Sequence, residues 1–138
     1  MIDKIYIPTV GRSDRQITWK NLPQKWKDKT VLVVDSTDAD KYDIPTLSIP
    51  DDIKGIASIR EWIVKQSQEE KICMFDDDLD LVYTRTSNET GPTNRKLNDD
   101  EVDEMMNLMS EWLDSHVFCG LDATWSHPQS ETDYKFCG

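Results

Sequence analysis

Cysteine is scarce in these 138 residues: Cys73, Cys119 and Cys137 are odd in number and lack the paired spacing of a zinc site. With so few thiols the expectation is a reduced, cytoplasmic protein. Cys73 lies inside an apolar run and reads as core. No stretch approaches the roughly 20 apolar residues of a membrane span. The first residues, Met1-Ile2-Asp3-Lys4-Ile5-Tyr6-Ile7, enter a strand-like pattern directly, without the layout of a signal peptide. Basic side chains are also in short supply. Against 27 Asp and Glu stand 16 Lys and Arg, for a net charge of −11. That disfavours a non-specific grip on nucleic-acid phosphates, although a local patch could still hold a nucleic acid as substrate. Internal repeats and low-complexity tracts are absent.

The most informative stretch is Lys71-Ile72-Cys73-Met74-Phe75-Asp76-Asp77-Asp78-Leu79-Asp80. Its four consecutive apolar residues, Ile72 to Phe75, read as a short buried strand. Three carboxylates follow at once, and Asp80 comes two residues later. Carboxylates this close repel one another unless a cation sits among them. The partner that suits such hard oxygen donors is Mg²⁺, Mn²⁺ or Ca²⁺. Ligand sites of open α/β sheets gather at the carboxyl ends of the strands, which is where this cluster would stand.

The rest of the chain supplies the sheet and its helices. Residues 2–8 read as a strand ended by Pro8. Ser13 and Gln16 have capping-box spacing, predicting a short helix that carries Ile17 and Leu22 and stops near Pro23. Thr30 to Asp35 is a β-branched strand ending in a carboxylate, and Thr46 to Ile49 is a weaker one between prolines. Gly55 to Gln68 reads as a helix, with Ile56, Ile59 and Ile63 at helical spacing. Residues 84–97 are polar, contain Gly91-Pro92 and read as a long loop, lid-like or simply mobile. Asn98, with acids in the following turn and Glu101 three residues on, predicts a strong helix start. Val102, Met105, Met109 and Trp112 or Leu113 would form its apolar stripe. Val117 to Leu121 reads as a last short strand, and the tail 122–138 has no clear pattern. Strands alternating with helices in this way predict a Rossmann-like α/β fold, a mostly parallel sheet with flanking helices. One domain over 1–138 is the expectation, with a nucleotide-binding half at about 1–83.

Four segments carry a family resemblance: Ile7-Pro8-Thr9-Val10-Gly11-Arg12, Val33-Val34-Asp35-Ser36-Thr37-Asp38, Gly55-Ile56-Ala57-Ser58-Ile59-Arg60 and Phe75-Asp76-Asp77-Asp78. Their order and spacing resemble the nucleotide-sugar half of GT-A glycosyltransferases, especially the inverting family typified by polysaccharide-synthase domains. The resemblance implies a GT-A-like nucleotide-sugar-binding domain and a divalent cofactor, Mn²⁺ or Mg²⁺. Pro8 and Thr9 would lie under the base and ribose, and Arg12 near the base or phosphate. Asp35 would accept a hydrogen bond from the base, and Arg60 would face the nucleotide. Asp76 and Asp78 would be the Asp-x-Asp pair, the first toward ribose and the second toward the metal. Asp78-Leu79-Asp80 is a second possible register, which adds Asp80 to the metal candidates. The donor implied is a nucleoside-diphosphate sugar, uridine-linked by analogy. The acceptor would be a glycan, a lipid carrier or a modified DNA base. Asp122, His116 or His127 could supply a general base or an extra metal ligand.

The chain departs from the family pattern in three places. Segment two lacks its usual glycine, Glu61 follows Arg60 where Asn is usual, and 58 residues after Asp80 are few for an acceptor half. A compact member or a truncated one is implied. Small size and an abundance of Lys, Asp and Asn suit a phage protein, which would work in the host cytoplasm. Two other readings compete. A nucleotidyltransferase on a related fold would want a glycine-rich basic loop, where Val10-Gly11-Arg12-Ser13 has one glycine and no lysine. A non-catalytic nucleotide-, sugar- or protein-binding module would need no acceptor half.

Overall fold

The apolar runs of the sequence become strands of one parallel sheet. The computed structural model describes residues 1–87 and 91–121. Strand β1 (Lys4–Pro8) leads through helices α1 (Ile17–Asn21) and α2 (Gln24–Lys27) to β2 (Thr30–Asp35). A 3₁₀ turn at Ala39–Lys41 precedes β3 (Thr46–Ile49), then come helix α3 (Ile56–Gln66) and β4 (Ile72–Met74). An antiparallel ribbon, β5 (Val82–Ser87) and β6 (Gly91–Lys96), precedes helix α4 (Asp99–Trp112). The sheet runs β3-β2-β1-β4, and every pair in it is parallel. This is the expected Rossmann-like α/β architecture.

Both faces of the sheet are covered, which is why β2 is apolar at consecutive positions rather than alternate ones. Ile5, Ile7, Leu32 and Val34 face one core, filled by Leu22 and Trp26 beside α1 and α2 and by Val102, Met106 and Met109 of α4. Tyr6, Val31 and Val33 face the other, closed by Ile59 and Ile63 of α3. The period-2 alternation of the strands therefore sorts neighbouring residues onto opposite cores. Trp26 is fully buried, and its indole N–H donates to Asp103 at 3.1 Å, tying α2 to α4.

The α4 start is as expected. Asn98 accepts from the Glu101 N–H at 2.9 Å, and Glu101 returns a bond from the Asn98 N–H at 2.9 Å, a complete capping box. Its buried stripe is Val102, Met106, Met109 and Ser110. Met106 thus occupies the position expected of Met105, which packs only partly on the core.

Three local expectations need correction. Ser13 caps nothing: α1 starts after Gln16 without a side-chain cap bond, because Gln16 is buried and turned to other partners. Helix α1 stops before Pro23 as expected, and Pro23 then opens α2, its carbonyl accepting from Trp26 and Lys27. Residues 84–97 are not one loop, since most of them form the β5–β6 ribbon, with Tyr83 opposite Arg95 and Thr86 opposite Pro92. Threonine and tyrosine favour strands despite their polarity, and Pro92 is tolerated in a strand that pairs on one side. Val117 to Leu121 is no strand. Val117 and Phe118 are exposed, and the segment is held instead by Cys119, which packs on the core and points its thiol at the Met109 carbonyl. A short apolar run alone cannot specify a sheet partner.

Candidate active site

β1 pairs with β2 on one side and β4 on the other, so the chain leaves β1 in one direction and later returns to its opposite edge. At such a reversal the loops beyond the carboxyl ends of the two strands diverge and leave a crevice. Here those loops are residues 9–16 after β1 and 75–81 after β4, and both carry the polar residues of the site.

The acidic run leaves β4 with its carboxylates pointing different ways. Asp77 turns inward and is buried, while the Asp76 and Asp78 side chains are each 57% exposed. Asp77 accepts from the Thr9 hydroxyl at 2.6 Å and from the Arg12 guanidinium at 2.8 Å. Arg12 also approaches Asp78 at 3.5 Å, and Arg60 of α3 reaches Asp76 at 2.6 Å. Two arginines thus offset part of the charge of three adjacent carboxylates.

Helix α1 holds the backbone of this turn from behind. The Thr18 hydroxyl, fully buried, donates to the Asp76 carbonyl and accepts from the Leu79 N–H at 2.8 Å. The Thr18 N–H donates to the Asp77 carbonyl at 3.2 Å, and Asn21 donates to that of Leu79 at 3.2 Å.

Between the strand ends and α3 lies an open cleft of about 450 Å³. Val33, Ile49, Ile53 and Ile59 give it an apolar floor, and Thr9, Arg12, Asp35, Lys54, Asp76 and Asp78 give it polar walls. Gly55 stands at its edge as the residue before α3, with φ of 84° and ψ of 150°. That backbone region is open essentially to glycine alone. No side chain caps α3 and its first turn has no acid, while Gly55 and Ile56 at its start line the cleft. α4 is the contrast, with its capping box and three acids in the first turn.

The family model for TET-Associated Glycosyltransferase matches residues 3–125, most of the chain and every residue of this cleft. The chain belongs to that family. No curated protein and no solved structure matches it. As a TET-associated glycosyltransferase it is an enzyme that moves a sugar from a donor to an acceptor, as the four sequence segments suggested. Membership in this family sets aside nucleotidyl transfer and non-catalytic binding.

Of the site residues expected from sequence, the glycosyltransferase fold gathers Pro8, Thr9, Arg12, Asp35, Asp76 and Asp78 around one cleft. Arg60 joins them through Asp76. Asp80 stands apart, turned toward Asn21 and 3.7 Å from Lys96 at the base of the ribbon. His116 does not line the cleft; its ring meets Ser115 and the Trp112 carbonyl at the end of α4. Asp122 and His127 lie outside the described residues. Sequence reasoning missed Lys54, Gln16, Thr18 and the separate part played by Asp77. Lys54 had a signal, a cation directly before the glycine that opens α3. The others act through partners about 60 residues away or across a turn, which no local pattern reveals.

Among the described residues no three metal-ligating side chains converge. No described helix is long and apolar enough to cross a membrane.

Proposed function

We propose that this glycosyltransferase binds a nucleoside-diphosphate sugar and a divalent cation in the cleft and transfers the sugar by direct displacement, with inversion at the anomeric carbon. The observation that carries the reading is the cleft itself. Two exposed carboxylates, two arginines, Lys54 and an uncapped helix start surround one apolar floor. An apolar floor suits a base and ribose, and cations with open N–H groups suit a diphosphate. Pro8 and Thr9 would border the nucleoside, and Asp35 would accept a base N–H, as a uridine presents. Lys54, Arg60 and the start of α3 would receive the phosphates.

The donor set fits Mn²⁺ or Mg²⁺. Such ions commonly take one or two protein carboxylates and complete their shell with substrate phosphates and water. Asp76 and Asp78 would hold the ion, with Asp80 as a candidate only if the turn rearranges. The ion would neutralise charge on the diphosphate as the sugar–oxygen bond breaks. Arg12 and Arg60 would add positive charge to the same leaving group. A general base would deprotonate the acceptor hydroxyl, with Asp122 and His127 as candidates. We read 1–138 as one domain with its donor half at about 1–83. The ribbon that replaces the expected loop would border the donor as a lid-like element.

The acceptor would be a glycan, a lipid carrier or a modified DNA base. The TET association in the family's name puts the DNA base first among those to test. A net charge of −11 means that a local patch, not the overall field, would have to hold it. A phage origin and action in the cytoplasm are consistent with that acceptor.

Titration calorimetry with UDP, with and without Mn²⁺, tests the reading. Metal-dependent binding that Asp78→Ala abolishes in a folded protein is expected, together with slow hydrolysis of a UDP-sugar. Unchanged binding and activity in Asp78→Ala would overturn it.

A further inference from the structure

Asp77 differs from both of its acidic neighbours. It is one of few buried charged or polar residues among those described, and two others, Thr9 and Gln16, touch it directly or at one remove. The Gln16 amide donates to the Thr9 hydroxyl at 2.9 Å and to the Arg12 carbonyl at 2.9 Å. The Thr9 hydroxyl in turn donates to Asp77 Oδ2 at 2.6 Å, and Arg12 donates to Asp77 Oδ1 at 2.8 Å. The bonds close a circuit that grips Arg12 twice, by its backbone through Gln16 and by its guanidinium through Asp77. Its polarity is set from one end. A carboxylate can only accept, so Thr9 donates to it and must accept from Gln16. The Gln16 Oε1 is left buried without a partner, an arrangement that core packing alone would avoid with an apolar side chain.

We infer that Asp77 is a positioning residue that acts through Arg12: with Thr9 and Gln16 behind it, its carboxylate fixes the Arg12 guanidinium at the cleft wall before the donor arrives. The inference rests on the donor reading above. Arginine carries large rotamer entropy, and a side chain already fixed loses less on binding. The circuit also links the loop after β1 to the loop after β4, so the two halves of the site keep one spacing. Asp76 and Asp78 stay exposed and free to exchange their arginines for other cations, whereas Asp77 is enclosed and committed.

A double-mutant cycle tests this, with UDP plus Mn²⁺ as the probe and calorimetry as the readout. Asp77→Asn keeps the volume but removes the charge. It should weaken UDP binding about 2- to 10-fold, the range expected when one side chain must be ordered on binding. Arg12→Ala should weaken it at least as much, and the double variant no further than Arg12→Ala alone. Losses that add in the double variant would overturn the inference, as would unchanged affinity in Asp77→Asn.

A second arm needs no ligand. ¹⁵N relaxation at Arg12 Nε should show an ordered side chain in the wild type and a mobile one in Asp77→Asn and in the near-isosteric Gln16→Met. An Arg12 that stays ordered in both variants would overturn the positioning role. Failure of the wild type to bind UDP would instead strike the donor reading, leaving the relaxation arm to judge Asp77.

Discussion

Arg60 on α3 and Asp76 at the end of β4 stand 2.6 Å apart, bridging the helix and the strand end that border the cleft. Both side chains are about half exposed, 47% and 57%, so water screens the pair. Its contribution to stability should be below about 1 kcal/mol. Arg60→Ala should therefore melt close to the wild type while losing donor affinity by tenfold or more. Thermal melting and UDP calorimetry, run side by side, check the two halves of this expectation. A large loss of stability with intact affinity would make the pair structural.

Thr18→Val keeps the shape of a fully buried side chain and removes its hydroxyl. The Leu79 N–H and the Asp76 carbonyl then lose a partner behind the acidic turn. Urea unfolding should show a loss of about 1–3 kcal/mol, the usual penalty for a buried polar group left unpaired. Donor binding should weaken as well, because the turn that carries Asp76 and Asp78 is no longer held.

Gly55→Ala tests the backbone before α3. A Cβ there meets nothing within 4 Å, so crowding is not the issue. The cost is conformational, since φ of 84° with ψ of 150° lies outside the regions open to alanine. Denaturant titration should report about 1–3 kcal/mol of destabilisation. Asn, which relieves left-handed helical strain elsewhere, should not rescue this position, because the ψ value is wrong for it.

Alkaline pH should weaken the fold through buried acids that resist ionisation. Burial pushes the Cys73 thiol up to about 12, and a nearby Cys119 adds to the effect. Burial, then the hydrogen bond to Glu69, likewise raises Tyr6 above its usual value. With a raised folded-state pKa the native protein keeps a proton that the unfolded chain gives up. Stability therefore falls as pH rises above the unfolded thiol value near 9 and continues to fall toward about 12. Urea midpoints measured from pH 7 to pH 11 should decline across the upper part of that range, and Cys73→Ala should flatten part of the slope. Alkylation of native Cys73 at pH 8 should be slow for the same reason.

Much of this site was legible before any fold was known, and particular residues show why. Asp76 and Asp78 were readable because a strand-like apolar run ends in a dense carboxylate cluster. Asp35 and Arg60 were readable only in company with the other segments. Asp80 and Asp77 mark the limit of that reading. Asp80 shares the acidic run but turns toward Lys96, and Asp77 looked like the spacer of a motif yet holds its centre. Spacing along a chain does not say which way a turn residue points. The ribbon at Val82–Ser87 and Gly91–Lys96 escaped because polar, threonine-rich strands lack the apolar alternation by which strands are recognised.

Local physics in the sequence determined the elements: consecutive β-branched residues for β2, helical spacing of isoleucines for α3, and a complete capping box for α4. These signals depend on neighbours within a few residues, so the sequence alone carries them. The tertiary structure decided the site. Setting β1 between β2 and β4 brought Thr9 and Arg12 against Asp77, a partner 68 and 65 residues away. It also buried one carboxylate of three and left the other two more than half exposed. Strand order and side-chain direction are long-range choices, made by the sum of packing on both faces of the sheet, and no single segment contains them.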